Sequence, residues 1–509
     1  MSDSSTMGDS SPTEAGPTDT GATDGRTDAP SDAGSDASFV DCGKIPPTGT
    51  QIVASTAPLI LQGGGLTSDG YAFYEDANSQ ILYVVDSTGG SPVSLGTMTS
   101  QGGTFYRNGG KAALFAPTPG DPNTLIGALS AWSKASGPTV ISTSIFAWDA
   151  YVNNYDVTKD GAYVIYFDLS GNTATLTIST IDGLTQHALI PNIDLSSQYC
   201  WPMAQFVGNT IVTYYCLATP VPDSGVAAGA LTIASLAVNP NFAAMTPVTI
   251  ANLPAPTGFI SPDAVSPDGT NLLISTASGL ELYPIAGGAP TLIDANGGGG
   301  FFTGAGNVVY GTSAGGLKRY SGADAGAPLV LDSTGVTYPM ALSPDGNWVE
   351  FGQNVDSTGT FVDIWLASAT TPGSLTQVRM QTDVPFGSGF SADSKYVTFV
   401  LNYPMTFGIN TYDLYAAPVS GGTAKKVVTT GGGGFTFTGG SKLVVNTNAD
   451  KTTGSADIQS VDLSSTGAAT TLVTQADPNY FYAGGPNKVF YTWYCAPNST
   501  AGVWAVTAP

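Results

Sequence analysis

The sequence predicts an all-β fold: a β-propeller of about ten four-stranded repeat units, closed by pairing of N- and C-terminal strands. Three observations carry this expectation. A turn signature of the form Ser-Pro-Asp-Gly recurs along the chain, each copy is followed by short apolar strands in a constant order, and the composition suits strands and turns. With 42% hydrophobic residues, 64 glycines and only 10% charged residues, the chain has little of the Glu, Lys and Arg on which helical proteins draw.

The turn is clearest at Val265-Ser266-Pro267-Asp268-Gly269, ahead of Asn271-Leu272-Leu273-Ile274, and at Leu342-Ser343-Pro344-Asp345-Gly346, ahead of Trp348-Val349-Glu350-Phe351. Degenerate copies are Thr67-Ser68-Asp69-Gly70, Thr158-Lys159-Asp160-Gly161 and Ser391-Ala392-Asp393-Ser394. Proline presets φ, aspartate bonds the backbone two residues on, and glycine accepts the left-handed conformation, so each copy joins two antiparallel strands. A third strand follows, such as Gly279-Leu280-Glu281-Leu282-Tyr283, then Gly287-Gly288 and a fourth strand, Pro290-Thr291-Leu292-Ile293. The order repeats at Tyr412 to Tyr415, Gly421-Gly422 and Lys426 to Val428, and at Ile81 to Val84, Gly89-Gly90 and Pro92 to Leu95. A spacing of roughly 40–50 residues is that of a propeller blade.

Units begin near Thr67, Arg107, Thr158, Val207, Ser266, Thr303, Ser343, Ser391, Thr438 and Ala483. They form one large ring or two tandem rings. The last unit ends after its third strand, Gly502 to Val506, whereas Pro58-Leu59-Ile60-Leu61 stands unassigned before the first. A strand lent from one end of the chain to the other would remove the open edges that invite aggregation.

Residues 50–509 are therefore expected to be the propeller and residues 1–49 a disordered acidic tether. The first 41 residues hold nine acids against the single Arg26, and such a segment buries too little apolar surface to offset its conformational entropy. The net charge of −23 with only 15 Lys and Arg argues against nucleic acid. No apolar run reaches the length of a transmembrane segment, and Met1 is not followed by a signal peptide.

The four cysteines point to an oxidising compartment. Tyr214-Tyr215-Cys216 and Trp493-Tyr494-Cys495 hold matched positions, Cys200 precedes the first of these units, and Cys42 ends the tether. This arrangement pairs Cys200 with Cys216 and Cys42 with Cys495; the alternative is four buried free thiols.

The Ser-Pro-Asp-Gly turns at 266–269 and 343–346, with their looser copies, resemble the repeats of TolB-like propellers of the bacterial periplasm. The tether resembles the stretch that follows the acylated cysteine of surface lipoproteins. The resemblance implies a periplasmic or extracellular-surface monomer, with a possible lipid anchor upstream of the given sequence. The given sequence departs from that family in showing no recognisable helical-sheet domain ahead of its repeats.

Residue patterns that could carry chemistry mostly read as turns. Gly311-Thr312-Ser313-Ala314-Gly315 matches a nucleophile elbow, but Leu317 to Tyr320 reads as a returning strand and the lone His187 lies upstream, so a hairpin is expected. Asp223-Ser224-Gly225 has no second triplet to share a proton with. The Asp-Ser-Thr-Gly tetrads at Asp86, Asp332 and Asp356 lack the clustered oxygens that calcium needs. The runs Gly297 to Gly300 and Gly431 to Gly434 have no Lys-Ser/Thr after them and read as inter-blade linkers. No catalytic, metal or cofactor site is expected.

Trp148, Tyr151 and Trp201 fall between strands and are the candidates for a binding face. The function expected from the sequence is a non-enzymatic envelope propeller that binds a protein partner through loops on one face. The alternative is a carbohydrate-binding or carbohydrate-cleaving propeller with carboxylates at the channel mouth.

Overall fold

The computed structural model describes residues 48–61, 67, 69–97, 104–105, 111–115, 126–146, 155–195, 202–218, 230–254, 262–322, 327–333, 338–353, 361–371, 374–383, 386–401, 411–432, 435–450, 455–465, 469–476, 481–483, 488–495 and 500–508. Within them the strands form eight four-stranded antiparallel sheets and one eight-stranded sheet. The latter is two successive runs of four, joined where Ile145 faces Asp168. We number the runs as units 1 to 10, spanning 59–97, 104–146, 155–194, 203–253, 262–294, 297–332, 338–383, 386–432, 435–476 and 481–507. Among the described residues no helix is long and apolar enough to cross a membrane. The fold is an all-β propeller architecture.

Local turn chemistry explains why each unit begins as a hairpin. In unit 5 the Ser266 hydroxyl donates to Asp268 (2.6 Å) and accepts from the N–H groups of Thr270 (3.1 Å) and Asn271 (2.9 Å). Gly269 takes φ +69°. Unit 7 repeats this with Ser343, Asp345 and the Trp348 N–H. In unit 8 serine replaces the glycine, and Ser394 is held at φ +58°. Its hydroxyl accepts a hydrogen bond from the Asp345 N–H of unit 7 (3.0 Å), so the strained residue stitches two neighbouring turns.

Strand alternation then builds the core between sheets. Ten buried clusters each span two consecutive units. Between units 4 and 5, Val212 and Ile233 meet Leu272 and Ile274, all fully buried. Each such side chain contributes about 1.5–3 kcal/mol of transfer free energy. The last cluster joins Ile52, Val53, Phe490 and Val503 to Leu59, Leu61, Ala72, Tyr74 and Val85, which is unit 10 against unit 1.

The strand that completes unit 10 differs from expectation. Thr50–Ser55 pairs with Thr500–Thr507, whereas Leu59–Leu61 pairs with Tyr71–Asp76 and is the innermost strand of unit 1. Period and hydrophobicity alone do not separate two neighbouring strand-like pieces; Gly49 does, because at φ +106° it lies against the Ala505 carbonyl, where a Cβ would approach to 2.2 Å. Three third-to-fourth-strand turns rest on the outer strand of the unit before: Gly183 on Thr139 and Val140, Gly287 on Val248 and Thr249, and Gly421 on Thr376. Gly89 of unit 1 rests in the same way on Ile52 of the completing strand.

A second correction concerns Gly297 to Gly300. These residues are not a linker but the start of the first strand of unit 6, Gly297–Phe302. A Cβ at Gly297 would lie 2.7 Å from that of Leu280, and one at Gly300 would lie 2.6 Å from the Val309 carbonyl. Close strand approach, not flexibility, accounts for those two glycines.

Candidate cleft between units 5 and 6

Antiparallel alternation divides the connections between two faces. First-to-second and third-to-fourth turns lie on one; second-to-third connections and the passages to the next unit lie on the other. Most of the long connections have their strand ends on the second face, among them those between Cys216 and Leu231, Gln353 and Phe361, and Leu401 and Thr411; that between Ala237 and Val248 is on the first. Lys111, Lys159, Lys395, Lys442 and Lys488 stand at first-to-second turns, on the opposite, short-turn face. Asp76, Asp194, Asp294, Asp332 and Asp383 end strands on the long-connection face.

On that face a cleft of about 340 Å3 opens between units 5 and 6. Three segments enclose it: the turn at Thr276–Gly279, the passage Ala295–Gly299, and Gly311–Ser313. Gly279 takes φ +119°, and a Cβ there would stand 2.3 Å from the Asp294 carbonyl, so the first wall exists only with glycine. The second wall is irregular. Gly297 faces Thr312 and Gly300 faces Tyr310, so Gly298 and Gly299 together oppose Gly311, a bulge at the cleft wall. A Cβ at Gly298 would meet nothing within 4 Å.

Beneath the lining lie two hydrogen-bonded carboxylates. Asp294 accepts from Lys318 Nζ (2.7 Å), the Tyr310 hydroxyl (3.1 Å) and the Asn296 N–H (2.9 Å). Burial would raise its pKa, but the bonds from Lys318, Asn296 and Tyr310 prevail and hold it below the ordinary carboxylate range. Glu281 accepts from the Thr276 hydroxyl (3.0 Å) and the Tyr283 hydroxyl (2.8 Å). Burial, with the neighbouring carboxylates, pushes the Tyr283 and Tyr310 phenols well upward, so both remain donors at neutral pH. The aspartate recurs: Asp332, at the matching strand end of unit 6, accepts from Gln353 Nε2 of unit 7. Chemically, the cleft offers hydroxyl, amide and main-chain hydrogen-bonding groups above a negatively charged floor. Among the described residues no three His, Cys, Asp or Glu side chains converge as metal ligands.

Trp148, Tyr151, Trp201, Cys42 and Cys200 lie outside the described residues. The strand ends that flank the three aromatics, Phe146 and Tyr155, and Asp194 and Met203, are on the long-connection face. Cys216 ends the second strand of unit 4, fully buried and disulfide-bonded. Cys495 ends the second strand of unit 10, the matching position. Gly311 to Gly315 forms the expected hairpin, closed by the Thr312 N–H to Gly316 and the Gly315 N–H to Thr312. Reading that hairpin and the glycine run as separate turn features missed the cleft they line together. The available signal was their place in one unit, on adjacent strands.

No family model and no curated protein matches the chain. Solved structures do. A eukaryotic initiation factor is similar over 72% of this chain and 87% of its own, at 12% identity and a TM-score of 0.47. A structure from a study of two prolyl endopeptidases is similar over 86% of this chain and 55% of its own, at 11% identity and a TM-score of 0.37. A putative TolB from Agrobacterium tumefaciens is similar over 52% of this chain and 94% of its own, at 16% identity and a TM-score of 0.27. These likenesses select no family, the TolB-like one included. They also correct the expectation of a non-enzymatic protein. The prolyl endopeptidases are enzymes, so chains of this architecture include catalysts and the non-enzymatic assignment is withdrawn.

Proposed function

We propose that this protein is a cell-envelope propeller, periplasmic or on the surface of a bacterium, that holds a protein partner on the long-connection face of one closed ten-unit ring. The observation that carries the reading is the asymmetry of the two faces. One carries the tight, internally bonded Ser-x-Asp turns, whereas the other gathers most of the long connections and the polar cleft between units 5 and 6. Loops mounted on a rigid scaffold are the ordinary place for recognition. The disulfide at Cys216 supports an oxidising compartment, and its proposed partner is Cys200. Residues 1–49 serve as the tether that spaces the ring from its point of attachment.

Site-resolved photo-crosslinking in cells tests this reading. A photoreactive residue is placed at Asn78 or Ser278, both exposed on second-to-third turns of the long-connection face, and at Leu184, which is 85% exposed on the short-turn face. Discrete adducts from the first two positions and none from Leu184 are expected. Adducts of equal yield from both faces would overturn the assignment of the face. Labelling of the protein in intact cells by an impermeant amine reagent is expected if it lies outside the cytoplasm, and protection until lysis overturns the location.

A further inference from the structure

The cleft itself carries an inference about what the partner presents, one that rests on the proposed function. We infer that the cleft between units 5 and 6 is a slot for an extended polypeptide segment bearing basic side chains.

The lining is main-chain-rich. Gly298 and Gly299 bulge out of one-to-one register opposite Gly311, and all three line the cleft, so peptide groups rather than side chains form much of its wall. An extended segment satisfies such a wall through its own regularly spaced N–H and C=O groups, the mode in which a peptide adds to a sheet. The Asn296 amide and the Ser313 hydroxyl add neutral donors and acceptors at either side. A volume of about 340 Å3 falls within the range of ~300–1,000 Å3 typical of ligand sites. The lining holds no aromatic ring, which is the platform a sugar would stack upon.

Charge selects among polypeptides. Glu281 approaches the cleft through Thr276, a lining residue, and is bonded there to hydroxyls. Asp294 has Lys318 as its counter-ion, so these three groups sum to one negative charge. The lysines of the first-to-second turns stand at the far ends of the strands, and the chain as a whole carries −23. A segment with Lys or Arg side chains is drawn to this face and an acidic one is repelled.

The test uses the full chain and fluorescence anisotropy with labelled decapeptides of Lys-Ala, Ser-Ala and Glu-Ala repeats, with cellohexaose as the glycan probe. The Lys-Ala peptide is expected to bind, with affinity falling as salt rises from about 0.01 to 1 M and the Debye length falls from about 30 to 3 Å. Gly298→Leu is expected to weaken binding about tenfold or more, a loss of about 1.4 kcal/mol, because its side chain enters the cleft from a position where a Cβ meets no neighbour. Gly322→Leu, equally open but on the short-turn face, retains full affinity. Unchanged melting of both variants separates occlusion from misfolding. The inference is overturned if the Lys-Ala peptide does not bind, if Gly298→Leu binds it as well as the parent, or if cellohexaose binds instead. Loss of peptide binding alongside surviving adducts from Asn78 removes the slot and leaves the partner-binding face intact. Peptide binding without those adducts does the reverse.

Discussion

The phenol of Tyr491 donates a hydrogen bond to the carbonyl of Thr48, joining the second strand of unit 10 to the residue from which the completing strand departs, 443 positions away in sequence. Tyr491 is fully buried among Val489, Trp493 and Val444, and Thr50–Ser55 pairs with Thr500–Thr507 just beyond it. One side chain therefore orders the entry of the strand that ends the sheet.

Tyr491→Phe keeps the ring and its packing but leaves the Thr48 carbonyl without this donor. A loss of about 1 kcal/mol is expected, read as a lower urea midpoint at unchanged slope. Deleting residues 1–55 has a larger consequence. It exposes the Thr500–Thr507 edge, and the protein is expected to self-associate in light scattering, because an open hydrophobic edge is a template for pairing.

Asp393 predicts acid sensitivity. Burial would raise its pKa, but the Ser441 hydroxyl (2.6 Å), the Ser391 hydroxyl (2.8 Å) and the Lys395 N–H outweigh this and lower it to about 2. A folded-state pKa below the unfolded value of about 3.9 gives stability that is present above pH 4 and lost as pH falls toward 2. Asp393 is 24% exposed, so the contribution is discounted to at most about 2 kcal/mol. Urea titrations at pH 5 and pH 2.5 are expected to show a drop in the parent that is smaller in Asp393→Asn. The Lys395 ion pair, 3.3 Å long with a lysine that is 72% exposed, adds little.

The repeat was legible because its turns are local. Ser266, Asp268 and Gly269 need only one another to form, so four residues announce a hairpin whatever surrounds them. The cleft was legible only in part: the glycine run and the Gly311 hairpin share one unit, but the site arises where Gly279 of the unit before, Asn296 of the passage and Ser313 come together, and no short window contains all three. Glycine was ambiguous for the same reason: Gly297 is required by Leu280 and Gly300 by Val309, contacts that exist only once the sheets are packed. Pairing of an N-terminal strand with the last strand was legible in kind, but choosing between 50–55 and 58–61 depended on Gly49 meeting Ala505.

Two glycines at the cleft predict opposite responses to one added methyl group. Gly279→Ala forces a Cβ to 2.3 Å from the Asp294 carbonyl at φ +119°, and a loss of about 2–3 kcal/mol is expected, visible as a lower melting temperature. Gly298→Ala adds a methyl to open space and is expected to stay within about 0.5 kcal/mol of the parent.

Cys216 bears on compartment and stability together. Its sulfur is disulfide-bonded, and the residue is buried in one cluster with Val212, Tyr214 and Ile233. With Cys200 as partner the closed loop is about 15 residues, for which chain entropy gives about 3 kcal/mol. Cys216→Ser, and equally Cys200→Ser, is expected to lower stability by about that amount, and the double variant by no more than either alone, since one bond is lost in each case. Non-reducing peptide mapping is expected to recover the Cys200 and Cys216 peptides as one species that separates on reduction. Recovery of Cys216 joined to Cys42 or Cys495 instead would reassign the bridge, and the single-variant losses would then track that other cysteine.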